Sequence, residues 1–329
     1  MPPPQSSALR AFAALVLFSL KRHAKVRQLG WVAFALLAIL SALVLVTSNG
    51  DVGWRLETRT RRIADPKDKD GDNPIKVTYK QYGDERMPMY EVMPSTPEGF
   101  GLKVAVASAY RAMMQDEQFL NDFAFLNFVR VVVYGYFLAF LLPLLTLAYA
   151  SGAVGSEREG RTLLWLLTRP LPRWAVYLAK YLGTMPWCIG VSALAFTVMC
   201  LCGGEFGRRA IGLYWPAVLT GSLAFGSLFH FIGALFRWPS VIGLVYVFFF
   251  EILVGALPGS LKQLSLNYYI RSLFYNETAG AIARAKPENV DAYAPTDPTT
   301  AWATLLAASL ALTLLGMWLF GRQEPKDGS

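Results

Sequence analysis

Histidine is nearly absent from this chain: His23 lies in a basic stretch and His230 stands alone in an apolar run, and there is no third. That scarcity argues against an intramembrane protease or lipid transferase, which needs a nucleophile with a base or a metal cluster within reach. Cysteine is equally sparse. Cys188, Cys200 and Cys202 fall in one apolar run, so they form neither a disulfide framework nor a zinc pattern. Charge is the third shortage, at 16% of the residues, against about 25% in soluble domains. With 54% hydrophobic residues, the chain reads instead as a polytopic membrane protein.

Six apolar runs carry that reading: Gly30–Val46, Phe128–Ala150, Tyr181–Cys202, Gly212–Phe236, Ser240–Leu257 and Ala301–Phe320. A helix needs roughly 20 apolar residues to cross a bilayer. The expected fold class is therefore an all-α polytopic membrane protein with about six transmembrane helices, an N-terminal interfacial helix and a small mixed extracytoplasmic insertion. The organisation follows as a cytoplasmic N-terminus over 1–29, a first span over 30–48, an insertion over 49–127, helices two to six over 128–322 and a cytoplasmic tail over 323–329. A cytoplasmic segment over 151–173 and an outer segment over 258–300 interrupt the helices.

The net charge of +8 is sorted by side rather than gathered for nucleic acid. With the N-terminus inside, Arg10, Lys21, Arg22, Lys25, Arg27, Arg158, Arg161, Arg169, Arg173, Lys180, Arg237, Arg322 and Lys326 face the cytoplasm. They oppose only Glu157, Glu159, Glu324 and Asp327. This bias places both termini in the cytoplasm, with a bacterial cytoplasmic membrane as the expected location. Arg208 and Arg209, in an expected short outer loop, dissent. No nucleic-acid partner is expected.

Ala8 to Lys25 sets Leu9, Phe12, Ala13, Val16 and Leu20 on one helical face and Arg10, Lys21 and Lys25 on another, with Leu15 and Phe18 off the stripe. Its apolar stretch is too short to span, so the helix is expected to lie in the inner interface. Lys21–Arg27 follows it where a small-residue cleavage site would stand in a signal peptide, so it is expected to be retained. In the insertion, Trp54–Thr60 and Ile75–Tyr82 alternate as strands and Leu102–Gln118 reads as helix. Asp68, Asp70 and Asp72 suggest a calcium loop, but Gly71 is misplaced and no closing Glu follows, so a solvated turn is the expectation. The segment Pro258–Thr300 carries helix-like Leu261–Phe274, with Tyr268 and Tyr269 as aromatic anchors along the outer surface.

The most specific stretch is Ala153–Arg173, AVGSEREGRTLLWLLTRPLPR. Ser156 and Glu159 form a capping box, Glu157 and Arg161 can pair one turn apart, and Pro170 and Pro172 end the helix near Thr168 or Arg169. GSEREGRT matches phosphate-loop spacing except for Arg161 in place of lysine, but an apolar span precedes it where a buried strand is required. A solvated cytoplasmic loop accounts for the arginines but not for the cap, the two glutamates or the exposed Leu163, Trp165, Leu166 and Leu167. A helix with charged and apolar faces suits docking to a partner protein or lying on lipid headgroups.

This stretch resembles the membrane permease subunits of type-2 ATP-binding-cassette (ABC) transporters. Their second and third spans are joined by a segment of the form E-R-E-x-G-T-L-E-x-L-L-x-x-P-x-x-R. Glu157, Arg158, Glu159, Thr162, Leu163, Leu166, Leu167, Pro170 and Arg173 match it position for position, while Arg161 replaces the usual glycine and Leu164 the usual acid. Tyr246–Pro258, YVFFFEILVGALP, is similar to the acid-bearing fifth span of such permeases. The resemblance implies an exporter permease without a catalytic site or cofactor of its own. ATP and Mg would be held by a separate ABC ATPase subunit, which docks on Ser156, Glu157, Arg158, Glu159, Arg161, Thr162, Arg169, Pro170 and Arg173. A second permease copy, in a homodimer or heterodimer, and the lipid bilayer are the other implied partners. Known substrates of such permeases include drugs, lipids, polysaccharides and exports linked to metalloenzyme maturation, and no residue here selects among them. A membrane scaffold or sensor using the 49–127 unit would share the fold without needing ATP.

Glu251 is the one acid inside an expected span, where an unpaired carboxylate costs several kcal/mol. It stands twelve residues past Pro239, about 18 Å of helix rise, whereas His230 sits about six residues from the end of its own span, so the two are not expected to pair. Two roles are open to Glu251. It could line the transport pathway or subunit interface, or make a structural hydrogen bond to neighbouring backbone or a tyrosine.

Overall fold

The computed structural model describes residues 6–23, 28–49, 56–63, 75–82, 117–153, 172–253, 255, 260–285 and 295–322. Helix α1 covers Ser6–His23 and α2 Gln28–Asn49. Strands β1 (Leu56–Ile63) and β2 (Ile75–Tyr82) pair antiparallel, with Leu56 opposite Tyr82 and Ile63 opposite Ile75. Helix α3 (Glu117–Phe128) runs through a π-helical stretch (Val129–Leu141) into α4 (Leu142–Ala150). Then follow α5 (Arg173–Cys202), α6 (Gly204–Leu235) and α7 (Pro239–Tyr246), which is extended by π-helical Val247–Leu253. A 3-10 turn (Ser260–Leu264), α8 (Leu266–Glu277), α9 (Ala279–Ala285) and α10 (Pro298–Arg322) complete the described chain.

The fold is that of an all-α polytopic membrane protein with a small two-stranded sheet inserted. Five helices among the described residues are long and apolar enough to cross a membrane: Gly30–Thr47, Ala124–Ala150, Arg173–Cys202, Gly204–Leu235 and Pro298–Arg322. The Ser240–Leu257 run forms a shorter helix, Pro239–Leu253. Strand β1 runs on to Ile63 rather than ending at Thr60, with Trp54 outside the described residues, and β2 has the expected bounds. Most of the expected helix Leu102–Gln118 and the Asp68–Asp72 turn lie outside the described residues.

Helix α6 is the axis of the bundle, touching α4, α5, α7, α8 and α10. Its sequence explains why. Gly221, Gly226 and Gly233 let neighbours approach where a side chain would collide, with Ile270 Cδ1, Met185 Sδ and the Ser151 carbonyl oxygen at 2.8, 3.0 and 2.7 Å from where a Cβ would stand. Small residues serve this purpose in membrane bundles, where close backbone packing substitutes for a hydrophobic driving force between helices. Fully buried Phe125, Phe128, Phe137, Phe196, Phe225, Phe229 and Phe274 fill the space around the axis. Two ends of the bundle can be distinguished: the handle end, where Ala153 and Pro172 flank residues 154–171, and the insertion end, where the hairpin rests against α3.

Helix α1 packs along α5. Phe12 and Val16 of the expected stripe pack against the core, joined by Leu15 and Ser19, which are buried, while Ala13 of that stripe is exposed. Ser19 docks at Gly183 of α5, whose missing side chain admits it, at 2.6 Å from the Cβ position. The Trp187 indole N–H donates to the Leu20 carbonyl one turn on, at 2.9 Å.

Arg208 and Arg209 belong to the first turns of α6 rather than to a loop, because Gly203 and Gly204 alone make the turn between α5 and α6. Arg209 donates from both terminal nitrogens to Asp122 Oδ1, at 3.0 and 3.1 Å, and lies 4.2 Å above the Phe125 ring. Of the two dissenting charges, that of Arg209 is thus neutralised by an acid 87 residues earlier. Arg209→Ala leaves the buried Asp122 carboxylate without this partner, at a cost on the order of 2–3 kcal/mol because Arg209 is itself partly exposed. Arg209→Ala combined with Asp122→Ala should melt higher in detergent than Arg209→Ala alone; equal melting would deny the coupling.

Candidate functional site: a capped half-helix and the handle

Segment 154–171 lies outside the described residues, so Ser156, Glu157, Arg158, Glu159, Arg161, Thr162, Arg169 and Pro170 have no described geometry. Their anchors do. Arg173 is the first residue of α5, preceded by Pro172, whose extended backbone (φ −63°, ψ 144°) opens the helix. Lys180 was expected in the cytoplasmic loop, but it lies within α5 and is buried. Its long stem carries Nζ to 3.4 Å from the Ala153 carbonyl oxygen, at the end of the preceding span. A cation there meets the negative end of the helix dipole and ties the two flanks of the handle together.

Glu251 is only 4% exposed and is held by four donors. The Tyr246 hydroxyl donates to Oε1 at 2.8 Å and the Ser265 hydroxyl to Oε2 at 2.6 Å. The Leu266 N–H reaches Oε1 at 3.2 Å and the Asn267 N–H reaches Oε2 at 2.9 Å. Leu266 and Asn267 are the first two residues of α8, whose leading N–H groups have no acceptor within the helix. Ser265 occupies the N-cap position, yet its side chain makes no cap hydrogen bond. Glu251 provides the cap from another helix. A carboxylate also suits the positive end of the α8 dipole. The hydrogen-bonding role open to Glu251 is met in this geometry, extended from backbone and tyrosine to a serine.

Helix α8 was expected along the outer surface, but it is packed into the bundle, with Tyr268, Ile270, Leu273 and Phe274 buried. Ile270 fills the notch at Gly221, and Phe274 packs against Tyr214 with ring centroids 4.6 Å apart. Small-residue notches in α6 and the Glu251 cap compensate a helix too short to span alone. Tyr268 and Tyr269 meet edge to face, with ring centroids 5.2 Å apart. His230 is buried between Tyr177 and Tyr181, with ring centroids 4.7 and 5.6 Å away, and the Tyr181 hydroxyl bonds the Ser227 hydroxyl at 2.9 Å.

A family model described as ABC-2 family transporter protein matches residues 24–324, from just before α2 to just past α10. The chain belongs to the ABC-2 family of transporter proteins. Two curated relatives carry the name probable ABC transporter permease protein NosY. The one from Stutzerimonas stutzeri is 33% identical over 116 residues, covering 35% of this chain and 37% of that protein. The one from Pseudomonas aeruginosa is 40% identical over 67 residues, covering 19% of this chain and 24% of that protein. The chain thus aligns with well under half the length of either relative. Within the ABC-2 assignment, the Glu251 cap is a feature that apolar periodicity could not reveal, because its partners lie 14 to 16 residues later in the sequence. Its signal in the sequence was the acid itself, followed by a serine at the start of a helical pattern.

Proposed function

We propose that this multi-pass membrane protein is the permease subunit of an ABC exporter in the bacterial cytoplasmic membrane, with both termini cytoplasmic. The observation that carries the reading is the family match over residues 24–324, together with a handle whose sequence resembles the ATPase-docking segment of such permeases. Two permease copies would form the pathway, and two ATPase subunits holding ATP and Mg would dock on the handles. Catalysis then belongs to the partner, and this chain converts closure of the ATPase pair into movement of its helices. The Lys180 contact to Ala153 supports that role, since it holds together the two helices between which the handle moves.

Reversing the charges of Glu157, Arg158 and Glu159 together is expected to abolish co-purification with the ATPase subunit while leaving the permease folded by size-exclusion chromatography. Undiminished co-purification would remove the docking role from this segment.

A further inference from the structure

We infer that Glu251 is a positioning residue for transport: its carboxylate joins α7 and α8 into one composite membrane crossing, so that movement entering at the handle end reaches the insertion end. This rests on the permease reading above.

The stacking of contacts along α6 shows the composite. Helix α6 runs from Gly204 at the insertion end to Leu235 at the handle end. Near the handle end, Ser240 Oγ lies 3.4 Å from Ser151 Oγ, Gly243 adjoins Phe229, and Tyr246 meets Phe229 edge to face at 6.4 Å. Further along α6, Ile270 meets Gly221, and beyond it Phe274 meets Tyr214. Helix α7 therefore covers the handle half of α6, and α8 covers the insertion half. Residues Pro239–Leu253 and Leu266–Glu277 each rise roughly 17–22 Å, and together they suffice for the ~30 Å hydrocarbon core.

Within this composite, the Ser265, Leu266 and Asn267 bonds to Glu251 cross from one half-helix to the other, and the Tyr246 bond does not, because Tyr246 belongs to α7. The four bonds thus separate into three that transmit and one that only orients. A broken helix without such a bridge would let its outer half stay behind when its inner half moves. A carboxylate suits the bridge better than an amide, since all four partners are donors and a glutamine amide group would set its own N–H bonds against some of them.

Hydrogen–deuterium exchange with mass spectrometry tests this on the permease–ATPase complex in nanodiscs, with and without ATP, Mg and vanadate. In the unaltered complex, exchange over 266–277 is expected to change with nucleotide. In Glu251→Gln, ATP hydrolysis and the nucleotide response over 239–246 should persist while the response over 266–277 is lost. Tyr246→Phe should keep both responses, and Ser265→Ala should weaken only that of α8. A purely structural role predicts instead that the α8 response falls in proportion to melting temperature, whichever bond is removed. An α8 response retained in folded, ATP-hydrolysing Glu251→Gln, or absent from the unaltered complex, overturns the inference.

The chain purified alone separates this result from the permease reading. There, Glu251→Gln should raise exchange at Leu266 and Asn267 roughly tenfold or more, as loss of a charge-assisted hydrogen bond requires. Unchanged exchange refutes the bridge whether or not an ATPase is bound.

Discussion

Glu251→Ala is expected to leave little folded protein. Removing the carboxylate strands four donors at once, the Ser265 hydroxyl fully buried and the other three partly so. The Tyr246 and Ser265 hydroxyls can rotate towards other acceptors, but the Leu266 and Asn267 N–H groups are fixed by the start of α8. An unsatisfied buried donor costs about 1–3 kcal/mol, so the loss is on the order of 3–5 kcal/mol. That is a large part of the ~5–15 kcal/mol that stabilises a typical fold. Glu251→Gln should fall between Ala and the natural residue, because one amide oxygen still accepts. Melting followed by fluorescence in mild detergent gives the order Glu, Gln, Ala. A Glu251→Ala protein melting within a degree or two of the natural chain would mean that α8 does not depend on this cap.

Gly207→Ala is expected to be at least as damaging, for a steric reason. A Cβ at Gly207 would stand 1.7 Å from the Cys200 carbonyl oxygen and 2.6 Å from its carbonyl carbon, both backbone atoms that no rotamer change can move. Relief requires α5 and α6 to part at their turn, where Gly203 already lies against the Phe128 ring. Overpacking costs about 1–3 kcal/mol when side chains can adjust, and more when backbone must move. Two neighbouring glycines serve as controls. Gly204 has φ +67° with open space around its Cβ position, so Gly204→Ala should cost only the ~1–2 kcal/mol of a left-handed residue. Gly212 is helical with nothing near, so Gly212→Ala should be neutral or slightly stabilising. Measured yields of folded, monodisperse protein should fall in the order Gly212→Ala, Gly204→Ala, Gly207→Ala; equal yields would contradict the close approach at this turn.

These two sites also show where a sequence stops being informative. The long spans were legible because hydrophobic length is a local property, and Phe128–Ala150 and Ala301–Phe320 differ from the helices found by only a few residues at each end. Helix α5 begins eight residues before its expected start, and α6 likewise, because Arg173, Lys180, Arg208 and Arg209 are helical without being apolar. Periodicity placed Phe12 and Val16 on the contact face of α1 but missed Leu15 and Ser19, which dock because a glycine in another helix admits that side. It also left α8 on the surface. The pairings that hold α8 and Arg209 join residues 14 to 16 and 87 positions apart, and each depends on a tertiary arrangement rather than on spacing. Glu251 could be singled out as costly, but its partners could not be chosen. For the handle, residues 154–171, the sequence offers a motif and its resemblance to permease segments, and the segment lies outside the described residues.

If this ABC-2 chain works as a permease with a separate ATPase, affinity purification of the tagged chain in mild detergent and in lipid nanodiscs, followed by mass spectrometry and an ATP-hydrolysis assay of the eluate, should recover a subunit with a phosphate-loop motif. ATP hydrolysis in that eluate should be lost when Glu157, Arg158 and Glu159 are reversed. Recovery of the chain without any ATPase in every detergent and in nanodiscs would rule out a separate ATPase partner.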